Sequence, residues 1–212
     1  EKLTNFVIPE GVTSIPEHTF RGAASLKQVS LPSTLKTIGD YSFSGCRALS
    51  NIDLSTITSI GYQAFSECSS LKNVTIPADC AMGGYVFVDC TGLTNVTLGK
   101  RETISKRAFA GCTGLVQVNL SEGLEIIYEK AFMNCTSLES IHLPDSVKQI
   151  NTDAFYGCSK LTSVNYPVSL EKIELESYYP YGPFRNCEKL TNFVIPEGVT
   201  SIPEHTFRGA AS

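Results

Sequence analysis

One pattern of 22 to 23 residues recurs along the whole chain and constrains its fold more than any other feature. In the clearest copy, residues 138–158, it reads LESIHLPDSVKQINTDAFYGC, with the skeleton L-x-x-V-x-L-P-x-x-V-x-x-I-x-x-x-A-F-x-x-C. The phenylalanine of the skeleton occurs at Phe20, Phe43, Phe65, Phe87, Phe109, Phe132, Phe155, Phe184 and Phe207. A fixed period of roughly 20 to 50 residues is typical of solenoids, whose repeats stack only on their neighbours. We therefore predict a single domain over residues 1–212 with about nine turns, numbered here by these phenylalanines.

Each repeat predicts one strand followed by a return path. Leu138, Ile141 and Leu143 form an apolar triad whose last two members alternate with polar residues, as in a strand with one buried face. Pro144 then ends the strand, because proline cannot donate a hydrogen bond to a sheet. The A-F-x-x-C segment is too short for a stable isolated helix. We expect it to form a turn or a short 3₁₀ or α segment.

Seven of the eight cysteines occupy one position of the repeat. They are Cys46, Cys68, Cys90, Cys112, Cys135, Cys158 and Cys187. One cysteine per turn predicts a column of small, inward-facing, reduced side chains, with Cys80 also buried. Alanines at the same position in the first and last turns, Ala23 and Ala210, favour this interpretation. Disulfides between turns remain the alternative, since adjacent parallel strands lie roughly 4.8 Å apart.

Composition and motifs give no indication of an enzyme. The net charge of −4 and the pI of about 5.4 give no basic surface for nucleic acid. No apolar run reaches the roughly 18 residues of a membrane span. The sequence contains no C-x-x-C zinc pair, no phosphate-binding glycine motif and no calcium loop, and its three histidines have no local catalytic signature. We expect no catalytic residues, no cofactor and no metal.

The skeleton resembles the leucine-rich repeat family, and within it the BspA-like subclass found in bacterial and protozoan surface proteins. L-x-x-V-x-I/L-P and I-G-x-x-A-F-x-x-C carry the resemblance, as in LKQVSLPSTLKTIGDYSFSGC at residues 26–46. The resemblance covers essentially the whole chain. It implies an α/β-type leucine-rich repeat solenoid, a right-handed arc with a parallel β-sheet on its concave face and turns on its convex side. It also implies adhesion or protein binding at the cell surface or in a secreted protein.

Residues 1–25 are identical to residues 188–212, at an offset of eight turns. Turns elsewhere share only the skeleton, so core packing does not explain this identity. Neither end has the polar capping repeat that solenoids normally carry. We interpret the chain as an internal fragment of a longer repeat array, with natural duplication and engineering both open. Both ends are expected to expose strand edges and apolar core, which predicts end-to-end self-association.

Two surfaces are candidates for partner binding. The first is the set of outward positions on the strands, a series of small polar residues: Asn51, Asp53, Asn73, Thr75, Asn95, Thr97, Gln117, Asn119, His142 and Asn165. It is interpreted either as a recognition surface for a protein or glycan, including one on a host surface, or as a solvated sheet with hydrogen bonds between turns. The face lacks the Trp, Tyr and Arg typical of binding hot spots.

The second candidate is an insertion in turn eight, where the chain reads ELESYYPYGP between Ile173 and Phe184. It places Tyr178, Tyr179 and Tyr181 in one loop. Insertions in solenoids often lie on binding faces, but such a loop can also cover apolar surface. The hypothesis for the whole chain is a non-enzymatic protein-binding or adhesion module. The alternative is a passive spacer within a longer surface protein.

Overall fold

The computed structural model describes residues 3–176 and 181–210, which form a parallel β-solenoid. Most turns contain two short strands, one from the apolar triad and one from the return path. The triad strands are β1 (Asn5–Val7), β3 (Gln28–Ser30), β6 (Asn73–Ile76), β8 (Asn95–Leu98), β10 (Gln117–Asn119), β12 (Ser140–Ile141), β14 (Ser163–Asn165) and β16 (Asn192–Val194). The return strands are β2 (Ser14–Ile15), β4 (Thr37–Ile38), β5 (Ser59–Ile60), β7 (Ala81–Met82), β9 (Thr103–Ile104), β11 (Ile126–Ile127), β13 (Gln149–Asn151) and β15 (Lys172–Glu174).

The triad strands pair in register, so equivalent residues of adjacent turns lie side by side; Val96, for example, pairs with both Val74 and Val118. They form three separate sheets: β1-β3, β6-β8-β10 and β12-β14-β16. The first break falls at turn three, which is one residue shorter than the clearest copies. There the Asp53 side chain accepts a hydrogen bond from the Ser55 amide at 2.9 Å, a local turn that competes with strand pairing.

The return strands form two further parallel sheets, β2-β4-β5-β7 and β9-β11-β13-β15. The repeat pattern predicts a return path here but no strands. Each is only two or three residues long and has a buried isoleucine in most turns, as at Ile38 and Ile150. The right-handed arc stays a prediction.

A column of phenylalanine rings fills the interior. Phe20 to Phe184 stack turn on turn, with ring centroids 5.1 to 5.5 Å apart and nearly parallel planes. The distance between ring centroids is close to the distance between adjacent parallel strands, so the stacking of the turns sets the stacking of the rings. Aromatic pairs of this kind stabilise by about 0.5–1.5 kcal/mol beyond their buried area.

All eight cysteines are free and buried, which confirms the prediction of reduced, inward-facing thiols. In the column, each Sγ donates a hydrogen bond to the carbonyl of the phenylalanine one turn earlier, at 3.0 to 3.3 Å. Cys112, for example, donates to the Phe87 carbonyl. The column is therefore more than a row of small apolar groups, because each buried thiol has a hydrogen-bond acceptor in the preceding turn.

Of the two forms expected for the A-F-x-x-C segment, the turn is confirmed and the short 3₁₀ or α segment is wrong, because the described residues contain no helix. The residues two before and two after the phenylalanine have positive φ in nearly every turn, as at Tyr41 and Gly45 around Phe43. A left-handed residue every four positions prevents a right-handed helix. The Phe43 amide instead donates to the Ala64 carbonyl of the next turn, at 2.8 Å.

The predicted count of nine turns is also wrong, because the solenoid has about seven complete turns. Seven turns, from Phe43 to Phe184, carry a buried phenylalanine and a buried cysteine together. The end turns have a neighbour on one side only, so Leu3, Phe6 and Phe207 are exposed. Within the described ranges, no helix is long and apolar enough to cross a membrane.

Ile141 is buried on β12, as the sequence predicts, and its loss tests the register of the solenoid. Ile141→Ala is expected to lower the free energy of unfolding by about 2–5 kcal/mol, because it leaves a cavity between turns. The neighbouring exposed Ser140→Ala is the matched control and should change it by less than about 0.5 kcal/mol. Urea unfolding followed by circular dichroism measures both. Equal effects of the two substitutions would contradict the register.

Burial raises the pKa of the Cys46 thiol from 9.0 to about 11 and that of Cys187 to about 12. Because the folded pKa lies above the unfolded one, the protonated thiols contribute stability that is fully present below about pH 9. For Cys46 this contribution is lost as the pH rises towards about 11. Anaerobic urea unfolding should therefore show falling stability over this range, with a shallower fall in Cys46→Ala. The same pH dependence in Cys46→Ala as in the unchanged chain would contradict the role of this thiol. Fewer than eight free thiols in the unchanged chain, titrated in denaturant without reductant, would contradict the column of reduced cysteines.

Candidate binding surface

The outward side chains of the triad strands form one surface, which we call the triad face. The sequence-predicted residues on it are exposed, except Asn165, which is half-buried. The exposed set is Asn51, Asp53, Asn73, Thr75, Asn95, Thr97, Gln117, Asn119 and His142. Alternation along the strands produces this arrangement, since β6 and β8 bury every second residue.

In the middle of the triad face, the polar side chains bond to each other. Asn95 donates to the Asn73 side chain at 2.9 Å, and Asn119 donates to the Thr97 hydroxyl at 3.3 Å. Gln117 also donates to Asn119, at 3.0 Å. In these turns the side-chain contacts agree with the alternative of a solvated sheet with hydrogen bonds between turns.

Asn165 has a different environment. Its side-chain oxygen accepts from the Leu143 amide and its side-chain nitrogen donates to the Leu143 carbonyl, both at 2.7 Å. The side chain thus replaces the backbone partner that a longer strand would supply to Leu143. This explains why β12 ends at Ile141, two residues before the end of its triad.

A groove of about 590 Å³ opens on the triad face across turns seven to nine. Its lining includes His142, Asp145, Asn165, Tyr166, Val168, Val194 and Pro196. Val168 and Val194 are 50% and 74% exposed, which gives this part of the face apolar surface that its middle lacks. Imidazole, carboxylate and amide groups lie in the same groove and can supply directional hydrogen bonds.

Two smaller grooves flank the break at turn three, with volumes of about 450 and 430 Å³. Asp53 lines both, with Asn73 and Thr75 on one side and Asn51 on the other. Hydrogen bonds from the Ser55 backbone amide and side chain lower the pKa of Asp53. Its carboxylate is therefore ionised at neutral pH, a fixed negative charge on an otherwise neutral part of the face.

Tyr178 and Tyr179 of the turn-eight insertion lie outside the described residues. Tyr181 is 40% exposed, and its ring centroid is 4.4 Å from the Arg185 guanidinium carbon. The same guanidinium lies 3.9 Å from the Tyr156 ring centroid and bonds both oxygens of Asp153, at 2.9 and 3.0 Å. Tyr181 is thus anchored to the solenoid, a contact that agrees with the packing alternative for this residue.

Sequence reasoning missed an aromatic row along one edge of the first four turns. The rings of His18, Tyr41, Tyr62 and Tyr85 lie 5.0 to 5.5 Å apart, centroid to centroid. Arg21 lies over Tyr41 at 5.0 Å. The signal was an aromatic residue two or three positions before the phenylalanine, outside the repeat skeleton. Within the described part of the chain, no group of three or more His, Cys, Asp or Glu side chains could hold a metal ion.

A parallel solenoid with one polar strand face and a phenylalanine column defines a leucine-rich-repeat-like protein. The model of the BspA type leucine rich repeat region matches in six copies, over residues 1–103 and 80–212. The chain therefore belongs to the BspA-type leucine-rich repeat family. No curated protein matches it.

Solved structures of bacterial leucine-rich repeat proteins have similar folds. The protein from Bacteroides ovatus is 28% identical with a TM-score of 0.69, and the match covers 99% of this chain and 64% of that one. The protein from Eubacterium ventriosum is 23% identical with a TM-score of 0.61, covering 93% of this chain and 45% of that one. The Treponema pallidum protein is 24% identical with a TM-score of 0.57, covering 100% and 88%.

The Eubacterium and Treponema proteins are less than 25% identical to this chain, so these two similarities show the fold alone. The chain spans less than two thirds of the length of the Bacteroides and Eubacterium proteins. The interpretation as an internal fragment stays a prediction.

Asn165→Ala tests whether this side chain holds turn seven in place. The substitution leaves the Leu143 amide and carbonyl without their side-chain partner and is expected to cost about 1–3 kcal/mol. Asn95→Ala, which removes the side-chain hydrogen bonds of an exposed asparagine on the same face, should cost less than about 0.5 kcal/mol. Urea unfolding of the two variants measures the difference. Equal costs would show that Asn165 is an ordinary surface residue.

Proposed function

We propose that this chain is a non-enzymatic protein-binding or adhesion module, part of a cell-surface or secreted protein, that binds a protein or glycan ligand on the triad face. The observation that carries the proposal is the groove of turns seven to nine, where exposed Val168 and Val194 lie beside His142 and Asp145. Apolar surface that water contacts in the free protein contributes to affinity when a ligand covers it. The polar groups supply orientation and specificity.

A protein ligand fits this groove better than a glycan. The exposed valines offer aliphatic area, whereas sugar rings are usually held by the flat faces of aromatic side chains, and the groove's tyrosine, Tyr166, is only 2% exposed. Membership of the BspA-type family supports the surface location, through the resemblance to bacterial surface proteins described above.

The passive spacer is the second candidate function. A spacer needs only a uniform, soluble surface, and the hydrogen-bonded ladder from Asn73 to Asn119 provides that over the middle turns. The groove is a local departure from this uniformity, which favours binding over spacing. The turn-eight insertion is a second local departure and remains a candidate site.

Val168→Lys is expected to abolish or strongly weaken ligand binding, because it places a charge among the aliphatic groups of the groove. Val116→Lys is a matched control, since Val116 is 48% exposed and lies outside the groove. Both variants and the unchanged chain are tested on an array of extracellular host proteins and on a glycan array, and each hit is measured by surface plasmon resonance. The fold is checked by circular dichroism.

Equal ligand binding by the Val168→Lys and Val116→Lys variants would show that the ligand does not bind in the groove. A further variant replaces Tyr178, Tyr179 and Tyr181 by serine. Loss of binding in that variant alone would place the ligand on the insertion. No binding to any member of either array would favour the spacer.

A further inference from the structure

One position of the return path departs from the repeat in turn five. In turns two, three, six, seven and eight, the residue three places before the return-strand isoleucine is apolar and buried: Leu35, Ile57, Leu124, Val147 and Leu170. In turn five this residue is Arg101, three places before Ile104. A guanidinium in an apolar column loses hydration, so core packing does not explain the arginine.

The backbone is irregular at the same place. The return sheets break here, because β7 of turn four and β9 of turn five belong to different sheets. The Ser105 hydroxyl donates to the Met82 carbonyl at 2.7 Å, whereas one turn earlier the Gly83 amide donates to the equivalent carbonyl, that of Ile60. A cleft of about 270 Å³ lies between the two turns at this break, and Arg101 lines it.

Arg101 brings an unpaired charge to this cleft. Its Nε donates to the Gly99 carbonyl at 3.2 Å, its Nη2 to the Pro77 carbonyl at 3.2 Å, and its Nη1 to the Met82 sulfur at 2.9 Å. Among the residues that the structure describes, no carboxylate lies within ion-pair distance of it. A guanidinium has five N–H groups, so these bonds leave one hydrogen on each terminal nitrogen for a ligand.

Burial also lowers the pKa of Arg101, as expected for a charge that has lost water. The side chain nevertheless stays protonated at neutral pH, since an arginine is not deprotonated in proteins. The cleft therefore holds a permanent positive charge that lacks a counter-ion within the described part of the chain. An oxyanion that accepts from both terminal nitrogens would complete the site.

The other charges of the cleft restrict the ligand further. Asp79 and Glu102 are exposed and line the cleft with Arg101, so its lining carries one positive and two negative charges. A phosphate dianion would be repelled by the two carboxylates, whereas an ammonium group would be attracted to them. Ala81 and Met82 also line the cleft and add apolar surface. The lining thus matches a molecule with one carboxylate and one ammonium group.

The size of the cleft points to a small molecule. Its volume of about 270 Å³ is less than half that of the 590 Å³ groove on the triad face. Pockets for drug-sized ligands usually enclose roughly 300–1,000 Å³. A ligand of a few heavy atoms with both charges close together fits these limits.

We propose that the cleft between turns four and five binds a free α-amino acid with a small side chain. Its carboxylate accepts hydrogen bonds from Arg101, and its ammonium group lies beside Asp79 and Glu102. The ligand supplies the counter-charge that Arg101 lacks. The site uses residues of the return path and none that line the triad-face groove, so it is a second function, independent of the proposed one.

Titration of the isotope-labelled chain with glycine, followed by backbone amide NMR signals, measures the binding. The signals of Thr103 and Ser105 are expected to shift and to saturate. Acetate and methylammonium each keep only one of the two charged contacts, so both should bind about tenfold or more weakly than glycine. Inorganic phosphate should bind more weakly than glycine as well.

Arg101→Leu removes the guanidinium and restores the apolar column of the return path. It is expected to abolish the saturable glycine shifts and to raise the urea midpoint of unfolding, so the loss of binding is not a loss of fold. Arg47→Leu is the matched control, because Arg47 is exposed and lies outside the cleft. This variant should bind glycine as the unchanged chain does.

Asp79→Asn tests the ammonium contact and does not depend on the folding of Arg101→Leu. Asp79 has a φ of 55°, and asparagine adopts this left-handed conformation readily, so the substitution preserves the backbone. Glycine should bind several-fold more weakly to this variant. Acetate, which has no ammonium group, should bind to it at least as well as to the unchanged chain.

Four results would overturn the proposal. Glycine shifts that do not saturate in the unchanged chain, or that persist in Arg101→Leu, would show that there is no such site. Acetate or inorganic phosphate binding as tightly as glycine would identify a general anion site. Unchanged glycine affinity in Asp79→Asn with Glu102→Gln would remove the ammonium contact. The groove proposal is tested separately, because Val168 does not line this cleft.

Discussion

The structure depends on the contact between the phenylalanine carbonyl of one turn and the cysteine thiol of the next. From Phe20 to Phe155, this carbonyl accepts two hydrogen bonds, one from the amide three residues later in its own turn and one from the thiol of the following turn, as at Phe87 with Cys90 and Cys112. The amide already satisfies the carbonyl, so the thiol adds a second hydrogen bond, and a typical hydrogen bond contributes about 0.5–1.5 kcal/mol. The interior of each turn is therefore completed only by its neighbour, and the phenylalanine rings stack on the same spacing.

This dependence explains the difference between the middle and the ends of the chain. A turn with neighbours on both sides buries its phenylalanine fully, whereas the last phenylalanine is 39% exposed although its sequence is that of the first turn. Exposure at the ends is a property of position in the stack and not of the residues.

The candidate site could be predicted only in part. Strand alternation identified the outward residues of the triad face, among them His142 and Asn165, both of which line the large groove. The repeat pattern does not single out Val168, because it follows Pro167 outside the strand, and Tyr166 stands at the last position of its apolar triad, which predicts only a core residue. The sequence also did not predict that Asn165 bonds to Leu143. A hydrogen bond from a side chain to the backbone of another turn does not change the apolar pattern of either repeat. The groove is formed by three successive turns, and it depends on residues that differ between repeats, so the repeat pattern does not predict it.

The sequence by itself determined the solenoid, the register of the triads, and the burial of the phenylalanines and cysteines, because each follows from a repeated apolar pattern that only stacking can bury. Only the tertiary structure decided the form of the A-F-x-x-C segment, the return sheets and the number of complete turns. The segment is not helical because its amides bond to the next turn and its flanking residues are left-handed. The return strands are too short to show a period, and their pairing depends on the turn above and below. Each of these features depends on contacts between turns, which no single repeat encodes.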